Sequence, residues 1–325
     1  MAAATKPHLA ELVELGRIRP AELEQLLEEE IAEWLSLLSW DFRPSADMVR
    51  RFVGMGTLSG YALLENGRVA GYTYFIHEDR KGLVGDLYLL RESRTVKNEL
   101  LLLGAAVKDL FGTRGVERIE SQLMMLLPPD GSPLPFSEYL TAHRRIFMTF
   151  DMALVPGQRP GRSASRALID NWSLDRVEDA AHVIAQAYDR HIDSEVNDQY
   201  RSVGGARRFI NNIVQYPGCG AFYPPASLLA MDAWTGRACG VSLCSIVSPR
   251  TGHVTQLCVV PRLKGKGLGY ELLRRSLLAL GEAGCRKASL TVTAANENAV
   301  RLYERVGFRP SHTFDALVWE KNPNR

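Results

Sequence analysis

Two short stretches toward the C-terminus carry residue types at spacings that could do chemistry. The first, Val260-Pro261-Arg262-Leu263-Lys264-Gly265-Lys266-Gly267-Leu268-Gly269-Tyr270, sets glycines at three alternating positions, threads lysines between them and then enters a leucine-rich run. Glycine loses more backbone freedom on ordering than any other residue, so three so close weaken a regular element unless something must approach the main chain. With a strand before it and a helix after it, such a loop exposes first-turn amides that lack intrahelical acceptors and sit at the positive end of the helix dipole. The natural guest is a phosphate or pyrophosphate. Arg262, Lys264 and Lys266 add positive charge where it would help. The second stretch, Asn296-Glu297-Asn298-Ala299-Val300-Arg301-Leu302-Tyr303-Glu304-Arg305-Val306-Gly307-Phe308, separates Asn296 from Tyr303 by close to two helical turns. The two side chains then share one helix face, roughly 10 Å apart along the axis, and could hold two parts of one elongated ligand. Taken alone, the same pair reads more simply as a helix cap and a packed aromatic; the glycine loop nearby favours the ligand.

Two familiar nucleotide loops do not fit. No window around Gly265 or Gly269 supplies the Lys-Ser or Lys-Thr of a P-loop. A G-x-G-x-x-G fingerprint begun at Gly265 ends on Tyr270, and one begun at Gly267 ends on Leu272. What remains is a compact anion cradle of the form basic-x-x-G-x-G/A over Lys264–Gly269. With it, residues 252–309 resemble the core of the GNAT superfamily of acyl-CoA-dependent N-acetyltransferases. That family follows a splayed strand ending in V-x-P with a Q/R-x-x-G-x-G/A loop, as Leu257-Cys258-Val259-Val260-Pro261 leads into Lys264–Gly269 here. It later carries N-x-x-A-x-x-x-Y-x-x-x-G-F, matched by Asn296, Ala299, Tyr303, Gly307 and Phe308. Lys264 departs from the family's arginine or glutamine, keeping charge attraction and losing planar recognition.

The resemblance implies acetyl-CoA as cosubstrate and no metal. It puts the pyrophosphate at Lys264, Gly265, Lys266, Gly267, Leu268 and Gly269, and the pantetheine arm beside Leu257, Cys258 and Val259. A backbone N–H near Val259 would polarise the thioester carbonyl. Asn296 would contact coenzyme A, and the Tyr303 hydroxyl would protonate the leaving thiolate. The implied reaction is direct attack by a primary amine in a ternary complex, with no covalent enzyme intermediate. Cys258, mid-strand in an apolar run, reads as a small buried hydrophobe rather than a nucleophile. Candidate bases are His191, Glu195 and Asp198 in the polar segment Tyr188–Tyr200, and His253, although each is equally at home as a surface or structural residue. No spacing among the histidines suggests a metal site. The acceptor is expected to be a small-molecule or peptide amine, with no nucleic acid or membrane partner. The alternative is a coenzyme A-binding sensor or scaffold that kept the cradle and lost turnover.

The elements that must position these residues follow from periodicity. Val254–Val260 reads as a β-branched strand, Tyr270–Leu280 as a leucine helix, Ala288–Thr293 as a strand and Glu297–Val306 as a helix. Upstream, Val177–Tyr188 is helical, and Ser227–Asp232 and Cys239–Val247 are strand-like. The first half repeats the pattern: a helix from Pro20 with Leu23, Leu27, Ile31, Trp34 and Leu38 on one face and glutamates on a solvated other, then a hairpin of Tyr61–Glu65 and Val69–His77 about an Asn66-Gly67 turn. A strand at Leu83–Leu90, a helix at Thr95–Phe111 and a strand at Arg118–Leu123 complete it. Thr149-Phe150-Asp151 echoes Thr313-Phe314-Asp315, and the strand ends Leu90 and Val260 stand at nearly the same offset, as a tandem duplication requires. The expected fold is mixed α/β: a degenerate GNAT-like domain over 1–155, a Pro/Gly/Ser/Arg linker over 156–166, and a GNAT acetyltransferase domain over 167–325, each domain a twisted mixed sheet flanked by helices. The first half has Leu90-Arg91-Glu92-Ser93-Arg94-Thr95 where the second has its glycines, so side chains and Glu92 should obstruct a pyrophosphate there.

A 325-residue chain with 46% hydrophobic and 23% charged residues has room for two ordinary domains and excludes disordered and fibrous classes. A net charge of +2 exerts no general pull toward nucleic acid or anionic membranes. Five cysteines with no C-x-x-C pair argue against a disulfide framework, and with an N-terminus lacking a signal-peptide apolar core they set the expectation of a cytoplasmic protein.

Overall fold

The computed structural model describes residues 10–127, 132–161, 167–216 and 218–321. The chain divides into two compact units, one of Met1–Leu35, Ser45–His143 and Phe314–Arg325, the other of Ser36–Pro44 and Arg144–Thr313. The division does not fall at residues 155 and 167: the second unit takes the residues from Arg144 on, and the first takes the C-terminal segment from Phe314.

In chain order the elements begin with β1 (Ala10–Glu14), α1 (Glu24–Leu38), α2 (Arg43–Gly54), β2 (Ser59–Glu65), β3 (Arg68–Glu78), β4 (Lys81–Leu89), α3 (Val96–Gly112), β5 (Arg118–Gln122) and β6 (Leu140–Asp151). They continue with β7 (Ala167–Asn171), α4 (Val177–Ala187), α5 (Ile192–Val196), α6 (Val203–Gln215), β8 (Ala221–Phe222), β9 (Leu228–Asp232), β10 (Ala238–Ser248) and β11 (Thr251–Val259). The last are α7 (Leu268–Glu282), β12 (Lys287–Thr293), α8 (Glu297–Val306) and β13 (Arg309–Glu320).

In the first unit the strands run β1-β2-β3-β4-β5, antiparallel except for the parallel β4–β5 pair, with Ala316–Glu320 of β13 antiparallel to β5. Asn66 and Gly67 both hold positive φ (53° and 78°), the primed turn whose twist suits a hairpin. Leu102, Leu103, Ala106, Val107 and Leu110 of α3 are fully buried against this sheet. The acidic side of α1 is not wholly solvated as its periodicity implies. Glu30 is fully buried with Asp86, the Tyr72 hydroxyl lying 2.9 Å from one carboxyl and 3.0 Å from the other.

In the second unit the order is β7-β9-β10-β11-β12-β6, again antiparallel except for the parallel β11–β12 pair. The two sheets therefore have the same pairing, strand for strand. The TFD echo falls in corresponding strands, on β6 and β13, with Phe150 and Phe314 both buried. Leu272, Leu273, Leu277 and Leu280 of α7, all at 0% exposure, seal one face of the second sheet. The beginning of the expected linker is fastened to this unit: Gly161 N–H donates to Glu271 Oε2 at 3.0 Å, and the Tyr270 hydroxyl donates to Arg159 O at 2.8 Å. Residues 162–166 of that linker lie outside the described residues.

Candidate active site

The parallel pairing of β11 with β12 covers only Thr251–Val254 against Lys287–Leu290; beyond it the strands part. On the other side β11 stays paired to β10, where Val260 N–H donates to Cys239 O at 3.0 Å. Main-chain groups alternate along an antiparallel strand, so the amides of Leu257 and Val259 point away from β10 into the opening. A cavity occupies the splay, lined by Thr255, Gln256 and Leu257 from β11, Thr291 and Val292 from β12, and Asn296 and Tyr303 from α8.

The glycine loop follows β11 in the chain and leads into α7. Gly265 (φ 73°) and Gly267 (φ 84°) are both left-handed, a conformation that strains any residue with a Cβ. Gly267 caps α7, and among the described residues the amides of Leu268, Gly269 and Tyr270 find no acceptor. The three basic residues are deployed unequally. Arg262 is paired to Asp232 Oδ2 at 2.6 Å, and Lys264 Nζ donates to Ala187 O, the last carbonyl of α4, at 3.1 Å. Lys266 is exposed, and its ammonium makes no hydrogen bond or ion pair among the described residues. Glu271 in the same first turn would oppose an anion. Burial alone raises its carboxyl, but Arg274, the Gly161 amide and Arg275 together bring it down to about 2 and absorb its charge.

The second motif is partly structural. The Asn296 side chain caps α8 by accepting from Ala299 N–H at 3.3 Å, and Gly307 ends that helix at φ 117°. Phe308 is fully buried, its ring tilted against Phe150 at 5.1 Å and against Tyr303 at 5.9 Å. Tyr303 is 8% exposed, and its hydroxyl makes no hydrogen bond among the described residues. Burial first, then the negative Asp193, push its pKa upward, so the phenol keeps its proton at neutral pH.

Several cavity residues carried no sequence signal. Asp193 in α5 accepts from the Thr293 hydroxyl, from Asn296 Nδ2 at 3.3 Å and from Arg145 Nη1 at 3.4 Å. Arg145 Nη1 also donates to Thr293 Oγ1 at 2.7 Å. Tyr188 and Tyr200 stack at 4.7 Å beside them. Of the expected bases, Glu195 is exposed and paired to Arg201 at 3.2 Å, and Asp198 starts a short 3-10 turn; neither lines the cavity. His191 accepts from Asp193 N–H at 3.2 Å through Nδ1; burial, with Lys264 nearby, lowers its pKa. His253 is buried between Trp40 and Phe147, its Nδ1 2.9 Å from Ser289 Oγ, and burial pushes it down to about 3, as befits a neutral structural histidine. Cys258 is a buried free thiol raised to about 12 by burial. Among the described residues no three His, Cys, Asp or Glu converge as a metal site, and no helix is long and apolar enough to cross a membrane.

The corresponding splay in the first unit, where β4 and β5 pair only over Lys81–Val84 and Arg118–Ser121, is built differently. Arg91 N–H, at the turn after β4, donates to Glu29 Oε1 at 2.7 Å. Arg94 grips Glu33 through two bonds of 2.6 and 2.9 Å and lies 4.7 Å over the Tyr88 ring. Carboxylates of α1 stand where the second unit offers free amides; Glu92 itself is exposed.

The second unit thus combines a parallel splay with helix-start amides that find no acceptor among the described residues. The model of the Acetyltransferase (GNAT) family matches residues 190–308. The N-alpha-acetyltransferase MAK3 of Arabidopsis thaliana is 32% identical over 76 residues, covering 22% of this chain and 40% of that protein. The chain spans 40% or less of the length of the curated relatives it matches. The crystal structure of a GCN5-related N-acetyltransferase from Sphaerobacter thermophilus superposes with a TM-score of 0.65 at 15% identity over 95% of both chains. A tandem GNAT protein from the clavulanic acid biosynthesis pathway gives 0.59 at 16% identity, over 98% of this chain and 100% of that one. At such identities the likeness is one of fold, and the fold is that of a tandem GNAT protein.

Proposed function

We propose that the second unit transfers an acetyl group from acetyl-CoA to a primary amine by direct attack. One combination supports the reading: the cavity in the β11–β12 splay is lined by Tyr303, whose hydroxyl is unpartnered among the described residues, and the strand that forms one side of it runs directly into the left-handed Gly265 and Gly267 and the unpaired amides of Leu268 and Gly269. The pyrophosphate lies on the amides of the Lys264–Gly269 loop that are free, those of Gly265 and Leu268–Gly269, while Lys266 and Lys264 contribute charge, the Lys264 amide being held by Pro261 O at 3.1 Å and its ammonium by Ala187 O. The pantetheine runs along Leu257–Val259, and the outward amides of Leu257 and Val259 meet its carbonyl oxygens. The amine nitrogen forms a bond to the thioester carbonyl carbon as the C–S bond breaks; nitrogen gives up one proton to solvent, the sulfur gains one from Tyr303, and the resulting phenolate recovers a proton from solvent. Positioning two bound reactants supplies much of the acceleration. The first unit serves as a degenerate partner domain, because carboxylates of α1 take the turn after β4.

The test is coenzyme A thiol release with acetyl-CoA and a broad panel of amines. Release that depends on an amine supports transfer. Tight acetyl-CoA binding without acetylation of any amine would instead favour a coenzyme A sensor.

A further inference from the structure

The hydrogen-bonding capacity of the cavity is one-sided. Its acceptor, Asp193, is filled by Thr293, Asn296 and Arg145. Its donors are not. Arg145 uses Nη1 on Thr293 and Asp193; its Nε is buried without a partner, and Nη2 makes no hydrogen bond among the described residues. Nε and Nη2 form the edge of a guanidinium that meets a carboxylate side-on through two parallel bonds. Gln256, only 4% exposed, accepts from the Tyr200 hydroxyl at 3.5 Å, and its Nε2 has no hydrogen-bond partner of good geometry among the described residues, the Cys258 thiol beside it being a weak acceptor. Buried donors with nothing to bond are unfavourable, and their concentration around one cavity points to a ligand oxygen that completes them.

Acetyl-CoA does not supply that oxygen in the scheme above. It carries no carboxylate, its phosphates belong at the Lys264–Gly269 loop, and its thioester carbonyl has donors in the β11 amides. The unmet donors belong to the acceptor. Resting on the proposed acetyl transfer, we propose that Arg145 binds a carboxylate of the acceptor, so that the preferred substrates are amino acids: amines carrying a carboxylate a few bonds from the nitrogen. Arg145 then offers the substrate carboxylate a charged partner, while Asp193, 3.4 Å from Arg145 and already filled by hydrogen bonds, acts on the substrate nitrogen only through space. A simple amine leaves the guanidinium edge empty. A peptide N-terminus presents a neutral carbonyl there, which cannot form the charge-assisted fork. Arg145 lies on β6, ahead of the linker segment in sequence, so a fragment beginning at residue 167 would lack the specificity determinant as well as the strand beside β12.

The experiment compares, on the full chain, common L-amino acids with their carboxamides, the matching decarboxylated amines and short peptides, by thiol release. The expected kcat/KM for the best amino acids is ~100-fold above that of their amide and amine counterparts, the scale of one charge-assisted fork. Arg145→Met should erase the preference, Arg145→Lys restore part of it, and the Kd for acetyl-CoA by calorimetry should stay within a few fold in both. Because the comparison on the unaltered protein already decides, a variant that fails to fold leaves it intact. Equal or better use of amines, amides or peptides overturns the inference and leaves acetyl transfer standing, as does a preference that survives Arg145→Met. Acetyl-CoA binding with no amine acetylated sinks the proposed function and this inference together.

Discussion

Replacing Tyr303 with phenylalanine separates a catalytic phenol from a packed aromatic, because the structure assigns the ring and the hydroxyl different work. The ring is 8% exposed and lies 5.9 Å from Phe308, contacts that phenylalanine keeps. The hydroxyl has no hydrogen bond among the described residues, so its removal forfeits none, and the fold should lose no stability or gain up to ~1 kcal/mol. If the hydroxyl protonates the departing thiolate, its loss removes general-acid catalysis worth ~10²–10⁴-fold in kcat, or ~3–5 kcal/mol of transition-state stabilisation. Steady-state thiol release over a range of pH, beside thermal unfolding and acetyl-CoA titration, measures all three. Tyr303→Phe should depress kcat with an unchanged acetyl-CoA KM and a Tm that is unchanged or slightly raised. Burial raises the Tyr303 pKa, so the unaltered enzyme should show no loss of the acid form up to about pH 10. A kcat within ~3-fold of the unaltered protein, or a rate loss matched by a loss of stability, would refute the reasoning.

Two further outcomes follow from other side chains. The single proton of the Tyr72 hydroxyl cannot serve both Glu30 and Asp86, so one of these buried carboxyls must be protonated. Burial, reinforced by the facing carboxylate, raises Glu30, and burial raises Asp86. The folded state thus holds more protons than the unfolded chain, and stability of the first unit, complete below the ordinary carboxylate range near pH 4, should fall as pH climbs toward the raised folded value. Glu30→Gln should flatten the dependence of the urea midpoint between pH 5 and 9, and an unchanged slope would contradict this. Lys264→Met should weaken acetyl-CoA binding by no more than ~5-fold, because its ammonium lies on the Ala187 carbonyl and acts on a phosphate only through space; a loss above ~50-fold by calorimetry would show the ammonium on the ligand.

The elements nearest the chemistry were legible because period and punctuation agreed. α8 spans the segment expected from its NENAVRLYERV pattern, and the leucines of α7 fall on its buried face. The duplication was legible in the offset of Leu90 and Val260 and in the TFD echo. What stayed hidden depended on long-range placement. β6 and β13 read as tails of their own halves, yet each pairs with a strand from the other half of the sequence. Arg145 and Asp193 are 48 positions apart and look like surface charges until strand order brings them together. Glu30 belongs to a glutamate run with exposed Glu28 and half-buried Glu29, and only the position of Tyr72 and Asp86 marks it as fully buried. The first unit's turn is closed by Glu29 and Glu33, not by the adjacent Glu92 to which sequence proximity pointed.

The central claim, that main-chain amides beside left-handed glycines grip the diphosphate of one acetyl-CoA in the second unit, is tested most directly by calorimetric titration of the unaltered protein and Gly267→Val. A β-branched residue at φ 84° is strained and crowds the cradle. One acetyl-CoA per chain, with binding lost in the folded variant, is the predicted result; two per chain, none, or a variant that binds as well as the original would contradict it.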